Sequence, residues 1–266
     1  LTFRDNIRQS VADLIHLTRL LEVQSMDVVD NTTGAPSTVG DAADLLIDAT
    51  HPISFVGHSN GGILGTLLAA VEPNIQTYVL ANPGGIYADI ASHSTEISPL
   101  VNAGLAAKGI QPGTADYNAF FVAAQTVLDD ADPVNAATAA SARNILLFKQ
   151  KDDPVVPNSS TDALSAALGL KQVTAPGSSG SVWQLGAVAS PHVGNGFVFF
   201  IQGGHSSFLR PDPPNTTLGL DIITEMQTET AKFLGSALQN SATITISGAP
   251  ASASQGSGAA ITTIVQ

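Results

Sequence analysis

The residues best suited to chemistry lie in the pattern Gly-x-Ser-x-Gly, which runs from Gly57 to Gly61 with Ser59 at its centre. A β-branched and aromatic run at 53–56 precedes the pattern and predicts a buried parallel strand. Apolar residues in 63–70 follow at the spacing of one helix face. A serine between such a strand and helix is typical of a nucleophile elbow, where a strained turn exposes the hydroxyl. The alternative is a glycine-rich turn with an incidental serine.

The elbow also predicts how negative charge would be stabilised. We expect glycine at 57 and 61 because a Cβ at either position would collide where the backbone doubles back. The helix after Ser59 would direct N–H dipoles at an oxyanion formed by attack of the serine. The backbone N–H of Asn60 is the expected first oxyanion donor. Its side chain would either assist or point into the substrate pocket.

A serine becomes a good nucleophile when a histidine takes its proton and a carboxylate orients that histidine. In folds with this elbow, the acid and then the histidine follow the serine, on loops after later strands. Asp153 begins Asp-Pro-Val-Val-Pro, just after the apolar run 144–150. We predict Asp153 as the acid. The neighbouring Asp152 is the alternative, and a plain Asp-Pro turn is the non-functional interpretation.

His205 is the predicted general base because it follows the apolar run 197–201 by a two-glycine turn. The remaining histidines fit that place less well: His16, His51, His58, His93 and His192. Of these, His58 lies inside the elbow, where we expect its side chain to pack beside the nucleophile. Carboxylates and histidines do not cluster at metal-ligand spacing, so neither a metal nor a cofactor is expected.

The elements that must position this triad alternate between strand and helix. Strands are predicted at 53–56, 76–81, 144–150 and 197–201, and helices at 5–21, 63–70, 163–168 and 218–238. Ser159 or Ser160 would cap the helix at 163–168. The alternation predicts an α/β protein with a mostly parallel sheet.

The segments between these elements differ in character. We predict a surface loop at 24–40, a short helical turn at 41–48 and irregular backbone at 171–194. The stretch 86–141 lacks a strand pattern and predicts a helical lid insertion over the carboxyl ends of the strands. The core with this insertion would span 1–240, and 241–266 would form a small β and linker tail.

Three aromatic residues of the insertion are candidates for the substrate pocket. Tyr117, Phe120 and Phe121 are close enough in sequence to line an acyl site together. Packing within the insertion explains the same residues equally well, so both interpretations stay open.

The composition excludes several function classes. A net charge of −12 with only 10 Lys plus Arg argues against nucleic-acid binding and against electrostatic docking on anionic lipid. The sequence contains no cysteine, which excludes disulfides and thiolate chemistry. No apolar run is long enough to span a membrane. The high content of small and polar residues with little lysine suggests an exported bacterial protein.

Six segments, which together span most of residues 3–240, resemble the Gram-negative extracellular lipase and phospholipase A1 family. They are Phe-Arg-Asp-Asn-Ile-Arg-Gln-Ser-Val-Ala-Asp-Leu at 3–14, Gly-His-Ser-Asn-Gly-Gly at 57–62, Leu-Ala-Asn-Pro-Gly-Gly at 80–85, Leu-Asp-Asp-Ala-Asp-Pro-Val-Asn at 128–135, Asp-Pro-Val-Val-Pro-Asn at 153–158 and Gly-His-Ser-Ser-Phe-Leu at 204–209. The resemblance implies the α/β-hydrolase fold, ester hydrolysis on acylglycerols, phospholipids, lysophospholipids or short model esters, and secretion or attachment to the cell surface. Asn60 replaces the family's usual Leu or Met, so the resemblance implies no acyl preference.

Hydrolases of this kind place several strands before the helix at 5–21. One of them lies beside the elbow strand, and the loop after it donates the second oxyanion N–H. Neither is recognisable here, so we expect 53–56 to be an apolar edge strand with unpaired backbone groups. An N-terminal piece of the same precursor, cleaved or separate, is the expected partner. The start at Leu1 rather than Met fits a processed chain.

The predicted function is a serine carboxylic-ester hydrolase that acts through an acyl-enzyme, with Ser59, Asp153 and His205 as its triad. An acyltransferase or polyesterase with the same triad is one alternative. A catalytically silent hydrolase-fold subunit that binds a partner chain is another.

Overall fold

The computed structural model describes residues 2–22, 25–26, 45–46, 51–176, 178, 183–247 and 264–265. Within them the helices are α1 (Thr2–Leu21), α2 (Asn60–Val71), α3 (Tyr87–His93), α4 (Ser98–Ala106), α5 (Ala115–Leu128), α6 (Pro133–Ala140), α7 (Asn158–Ala167) and α8 (Thr217–Ala237), with a 3₁₀ turn at Asp129–Ala131. The strands are β1 (Ser25–Met26), β2 (Leu45–Leu46), β3 (Ile53–His58), β4 (Ile75–Ala81), β5 (Asn144–Gln150), β6 (Lys171–Thr174), β7 (Ala187–Ala189), β8 (His192–Val193), β9 (Gly196–Phe200) and β10 (Thr243–Ile244).

Six strands form the central sheet in the order β3-β4-β5-β9-β6-β7. Every neighbouring pair in it is parallel. Two small antiparallel pairs, β1 with β2 and β8 with β10, lie outside it. Because the strands run in one direction, their carboxyl ends lie together. The loops after β3, β4, β5 and β9 therefore all leave from that end of the sheet.

Alternation along β5 explains how the sheet buries both of its faces. Leu146 and Phe148 pack into a cluster that includes residues of α8. Ile145 and Leu147 point the other way, into a cluster with residues of α1, α2, α6 and α7. A strand covered on both faces must be apolar at nearly every position, as a parallel strand between helical layers requires. This arrangement confirms the predicted α/β class with a mostly parallel sheet.

The predicted strands at 76–81, 144–150 and 197–201 agree with β4, β5 and β9 to within one residue at each end. The stretch 86–141 contains α3 to α6 with the 3₁₀ turn and no strand, as predicted for a helical insertion. None of the helices in the part of the chain that the structure describes is long and apolar enough to cross a membrane.

Three local predictions are wrong. Residues 45–46 of the predicted helical turn pair with 25–26 as strands, and the rest of 27–50 lies outside the described residues. The stretch 171–194 contains β6, β7 and β8 rather than irregular backbone alone. Helix α7 begins after Pro157 with no side-chain cap.

The two serines proposed as that cap bind elsewhere. Ser160 Oγ donates to the carbonyl of Gly85, and Ser159 Oγ donates to Asp89 Oδ2 at 2.6 Å. Both hydroxyls therefore tie α7 to the start of the insertion rather than to their own helix.

Strand β3 forms one edge of the sheet. In the described part of the chain, no strand pairs with its outer side, and Val56 in its middle is 42% exposed. The expected apolar edge strand is therefore present. The backbone groups on this side, which no described strand pairs, are a site where another strand can add.

The described residues of the tail pack into the core beside α8. Ile244, Ile246 and Val265 are buried in the cluster that contains Phe233 of α8. Glu225 of α8 accepts hydrogen bonds from the N–H and the hydroxyl of Ser247. The tail is thus held by apolar burial and by one buried carboxylate.

Glu229 lies one helical turn after Glu225 and is fully buried. Neither of its carboxyl oxygens accepts a hydrogen bond from a described residue. Burial and, next, the nearby Glu225 carboxylate raise the pKa of Glu229 well above its ordinary value, while Lys232 acts weakly in the opposite direction. The folded chain therefore holds a proton on Glu229 at a pH where the unfolded chain releases it.

We expect the Glu229→Gln variant to be more stable than the wild type at pH 8 and equally stable near pH 4. A raised carboxyl pKa lowers the stability of the fold as pH rises from about 4.3 toward the folded-state value. Thermal denaturation at both pH values measures the difference. At pH 8 a gain of at least about 2 °C is expected, the shift that roughly 1 kcal/mol produces in a chain of this size.

Glu96→Gln, which changes an exposed carboxyl group, is the matched control for that comparison. It should leave the midpoint unchanged at both pH values. A Glu229→Gln variant that is less stable at pH 8 would show that the ionised group has a partner.

Candidate active site

Ser59 occupies the sharp turn between β3 and α2. Its backbone has φ 56° and ψ −121°, a left-handed conformation that non-glycine residues rarely adopt. Its N–H donates to the carbonyl of Ala81 at 2.8 Å, and its own carbonyl accepts from the N–H groups of Gly62 and Ile63. The turn is thus fixed from β4 on one side and from α2 on the other.

The glycines of the elbow have different reasons for being there. A Cβ at Gly57 would lie 2.3 Å from the carbonyl oxygen of Gly61, so the expected collision is confirmed at this position. At Gly61 the expectation is wrong, because a Cβ there meets no atom within 4 Å outside its own helix. Close packing instead affects Gly62, against Pro83 at 3.0 Å, and Gly65, against Phe55 at 2.5 Å.

Asp153 lies on the loop after β5, with its side chain 2% exposed. Its Oδ1 accepts hydrogen bonds from the N–H groups of Val155 and Val156, at 2.8 and 2.9 Å. Its Oδ2 is left to face the loop after β9. The neighbouring Asp152 points outward, with a side chain that is 85% exposed. Two backbone donors thus hold the first oxygen of Asp153 and fix the direction of the second.

His205 meets that second oxygen. Its Nδ1 lies 2.7 Å from Asp153 Oδ2, and its side chain is 11% exposed. Because an ionised carboxylate can only accept, the proton of this bond belongs to Nδ1. The neutral ring then carries a lone pair on Nε2, as a general base requires. The structure brings His205 and Asp153 together, and it gives Asp152 no contact with the ring.

The structure records no hydrogen bond of the Ser59 hydroxyl with any described residue. The connection between the nucleophile and the base runs instead through the residue before Ser59. His58 Nε2 lies 2.7 Å from the backbone carbonyl of His205.

The expected oxyanion donor is available. Asn60 is the first residue of α2 and is exposed. Its N–H donates to no backbone carbonyl of the described residues. A free N–H at the start of a helix, next to the serine, is a donor suited to a developing negative charge.

The three aromatic pocket candidates lie together on α5. Tyr117 and Phe121 have ring centroids 4.9 Å apart, and Phe120 and Phe121 are 5.2 Å apart. The hydroxyl of Tyr117 donates to Asn102 Oδ1 of α4. Among the described residues, no hydrogen bond or ring contact joins these three to Ser59, Asp153 or His205. Packing within the insertion is therefore observed, and a role in an acyl pocket stays a prediction.

The insertion does contact the acid loop. The carbonyl of Pro154 accepts from Ser94 Oγ, Thr95 Oγ1 and the N–H of Glu96, at 3.0, 3.1 and 3.3 Å. Ser94 is fully buried. Three donors from the segment between α3 and α4 thus hold the residue next to Asp153.

Asn82 is a functional candidate that the sequence analysis missed. It follows β4, has φ 51° and is 1% exposed. Its Nδ2 donates to the carbonyl of His205 at 2.7 Å. The signal in the sequence was an Asn-Pro-Gly-Gly break after a buried strand, which indicates a turn but not what its side chain would bind.

No group of three or more His, Asp or Glu side chains in the described residues is arranged to hold an ion. The other histidines are spread over separate elements; His93, for example, pairs with Asp89 on α3 at 2.8 Å.

No protein-family model and no curated protein matches the chain. Among solved structures, puromycin hydrolase is 17% identical, aligned over 57% of this chain and 18% of its own, with a TM-score of 0.34. Acylaminoacyl peptidase of Pyrococcus horikoshii is 13% identical, over 75% and 25%, with a TM-score of 0.40. An α/β fold family hydrolase of Bacillus anthracis str. Sterne is 12% identical, over 60% and 63%, with a TM-score of 0.32. The chain spans less than two thirds of each.

The chain has the α/β-hydrolase fold. Its parallel sheet, its elbow between β3 and α2, and its acid and histidine after β5 and β9 are the features of that fold, in the same chain order. The narrower resemblance to Gram-negative lipases is not matched by a family model and stays a prediction.

We expect Asp153→Asn to lower kcat for a p-nitrophenyl ester by about 10⁴-fold, because an amide in this place favours the wrong tautomer of the histidine. Asp152→Asn is the matched control, since asparagine tolerates the left-handed backbone (φ 52°) of that position. It should retain nearly full activity. Equal losses in the two variants would contradict the assignment of the acid.

Proposed function

We propose that the protein is a serine carboxylic-ester hydrolase that acts through an acyl-enzyme. The observation that carries this proposal is the 2.7 Å contact between His205 Nδ1 and the buried carboxylate of Asp153. This contact lies at the carboxyl ends of the strands, as does the strained turn of Ser59. The hydrogen bond of His58 joins the turn of Ser59 to the loop of His205. A buried acid and histidine pair beside a serine on a sharp turn is typical of a nucleophilic site.

The proposed reaction proceeds in two halves. Ser59 Oγ attacks the ester carbonyl while His205 Nε2 takes the hydroxyl proton, which gives a tetrahedral oxyanion facing the N–H of Asn60. The carbonyl re-forms, the alkoxide leaves, and the imidazolium of His205 returns the proton to it as an alcohol. Water then attacks the acyl-serine with His205 again as the base, and a carboxylic acid and free Ser59 result.

An apolar acyl substrate fits the exposed surface of the insertion. Leu100 on α4 is 77% exposed, and Phe120 and Val122 on α5 are 38% and 69% exposed. Exposed apolar side chains of this kind can each contact an acyl chain. Together with the resemblance described above, this favours lipid esters such as acylglycerols or phospholipids, and a protein that acts outside the bacterial cell.

The open edge of β3 supports a partner for the sheet. We propose that an N-terminal piece of the same precursor adds a strand beside β3 and brings the second oxyanion donor. Val56 would then be covered, and the backbone groups of β3 would be paired.

Mass analysis of the native particle tests the partner. We expect two polypeptides from one precursor, or one polypeptide longer than this chain, in the active species. A single 27.1 kDa species with full esterase activity would refute the partner proposal.

The function itself is tested with a fluorophosphonate probe and a panel of p-nitrophenyl esters, phospholipids and an anilide. We expect covalent labelling of the assembled wild type and hydrolysis of esters in preference to the amide. Ser59→Ala should abolish both, whereas Ser241→Ala, which removes an exposed hydroxyl of the tail, should change neither. Product analysis with an added alcohol distinguishes hydrolysis from acyl transfer.

An assembled wild type that is not labelled would instead be a silent subunit. That outcome would overturn the proposed function.

A further inference from the structure

The backbone carbonyl of His205 accepts two side-chain hydrogen bonds. His58 Nε2 and Asn82 Nδ2 each lie 2.7 Å from this oxygen. His58 is the last residue of β3, and Asn82 directly follows β4. Two neighbouring strands thus hold the main chain of the residue whose ring is held by Asp153.

The protonation state of His58 follows from this bond. A carbonyl oxygen only accepts, so Nε2 of His58 carries the proton. Burial lowers the pKa of His58, and its closeness to His205 also lowers it, although the hydrogen bond and the more distant Asp153 act in the opposite direction. His58 is therefore neutral at neutral pH and donates from one nitrogen.

Neutrality matters because the two rings are close. The ring centroids of His58 and His205 are 4.8 Å apart, with an interplanar angle of 53°. A charge on His58 would oppose the imidazolium that the proposed reaction forms on His205. A neutral donor holds the loop without that cost.

The side-chain amide of Asn82 is buried, and among the described residues only half of it is satisfied. Its φ of 51° is left-handed, and its buried Oδ1 has no hydrogen-bond partner in the described chain. Its N–H donates to the carbonyl of Phe148 at 2.9 Å, which fixes the backbone. A buried amide that is only half satisfied calls for an explanation, and a specific contact of its NH₂ group supplies one. Among the described residues, the one hydrogen bond that its side chain makes is with His205.

We propose that His58 and Asn82 are positioning residues that fix the main chain of His205, so that its Nε2 faces Ser59. This inference rests on the proposed function. Asp153 alone fixes one atom of the ring, and the ring could still swing about that bond. The hydrogen bonds from His58 and Asn82 to the His205 carbonyl, here called the carbonyl clamp, add a second fixed point. His58 is also covalently bonded to Ser59. The His58 hydrogen bond therefore sets the separation between nucleophile and base.

His58→Phe and His58→Gln test the clamp. Phenylalanine keeps an aromatic ring but no donor, whereas the glutamine amide can place an N–H near the position of Nε2. We expect His58→Phe to lower the fluorophosphonate labelling rate and kcat by about 10- to 100-fold, the scale of a misplaced catalytic group, with little change in KM. We expect His58→Gln to retain most of the wild-type rate. His16→Phe, on the exposed face of α1, is the control for a lost histidine.

Asn82→Gly provides a second, independent variant. Glycine accepts the left-handed backbone without strain, so this change removes the amide donor while the turn is kept. We expect the same fall in labelling rate as for His58→Phe, with an unchanged thermal midpoint.

NMR of the ¹⁵N-histidine-labelled protein gives a readout that does not depend on activity. We expect a low-field proton on His205 Nδ1 in the wild type and in His58→Gln, and a shifted or broadened signal in His58→Phe and Asn82→Gly. Equal labelling rates in the wild type, His58→Phe and Asn82→Gly would overturn the clamp while leaving the proposed function intact. Absence of labelling in the assembled wild type would overturn the proposed function instead.

Discussion

The contact between His205 Nδ1 and Asp153 Oδ2 depends on which strands are neighbours. The two residues are 52 positions apart in sequence and lie 2.7 Å apart in space. They follow β5 and β9, which pair in parallel up to Gln150 and Phe200. The N–H of Lys151 then extends the pairing by donating to Phe200. Because β6 and β7 are placed on the far side of β9, the two loops leave the sheet side by side.

Hydrogen bonds connect the insertion at 86–141 to the loop that carries Asp153. Asp132, 1% exposed, accepts from the N–H groups of Ile86 and Tyr87 at the start of α3 and from that of Val134 in α6. One buried carboxylate thus stabilises two helix starts, where free N–H groups need acceptors. The segment after α3, which Asp132 helps to hold, donates to the carbonyl of Pro154. Residues 86–141 therefore stabilise the loop that carries Asp153. This role does not depend on whether α4 and α5 contact a substrate.

The sequence predicted those features of the fold and the site that depend on residues close together in the chain. The strands β4, β5 and β9 are apolar on both faces, and Asp153 and His205 come directly after two of them, so their place at one sheet edge followed from topology. Strands β6 and β7 have only four and three residues, which is too short for a clear pattern of apolar residues, and the sequence therefore did not predict them. The partners of Ser159 and of Asn82 depend on contacts 70 and 123 residues away, which no local pattern carries.

The strain at Ser59 explains why the open edge of β3 concerns chemistry as well as folding. A left-handed non-glycine residue costs about 1–3 kcal/mol and persists only where its surroundings over-determine it. Here β4 supplies one anchor, the bond to Ala81, and the close approach of Gly57 to Gly61 supplies another. The first of these lies on the β4 side of β3. The strand that we propose on the outer side of β3 would add contacts there, and the proposed second oxyanion donor would come from the loop that leaves it. In that proposal, one added strand completes both the sheet and the charge stabilisation.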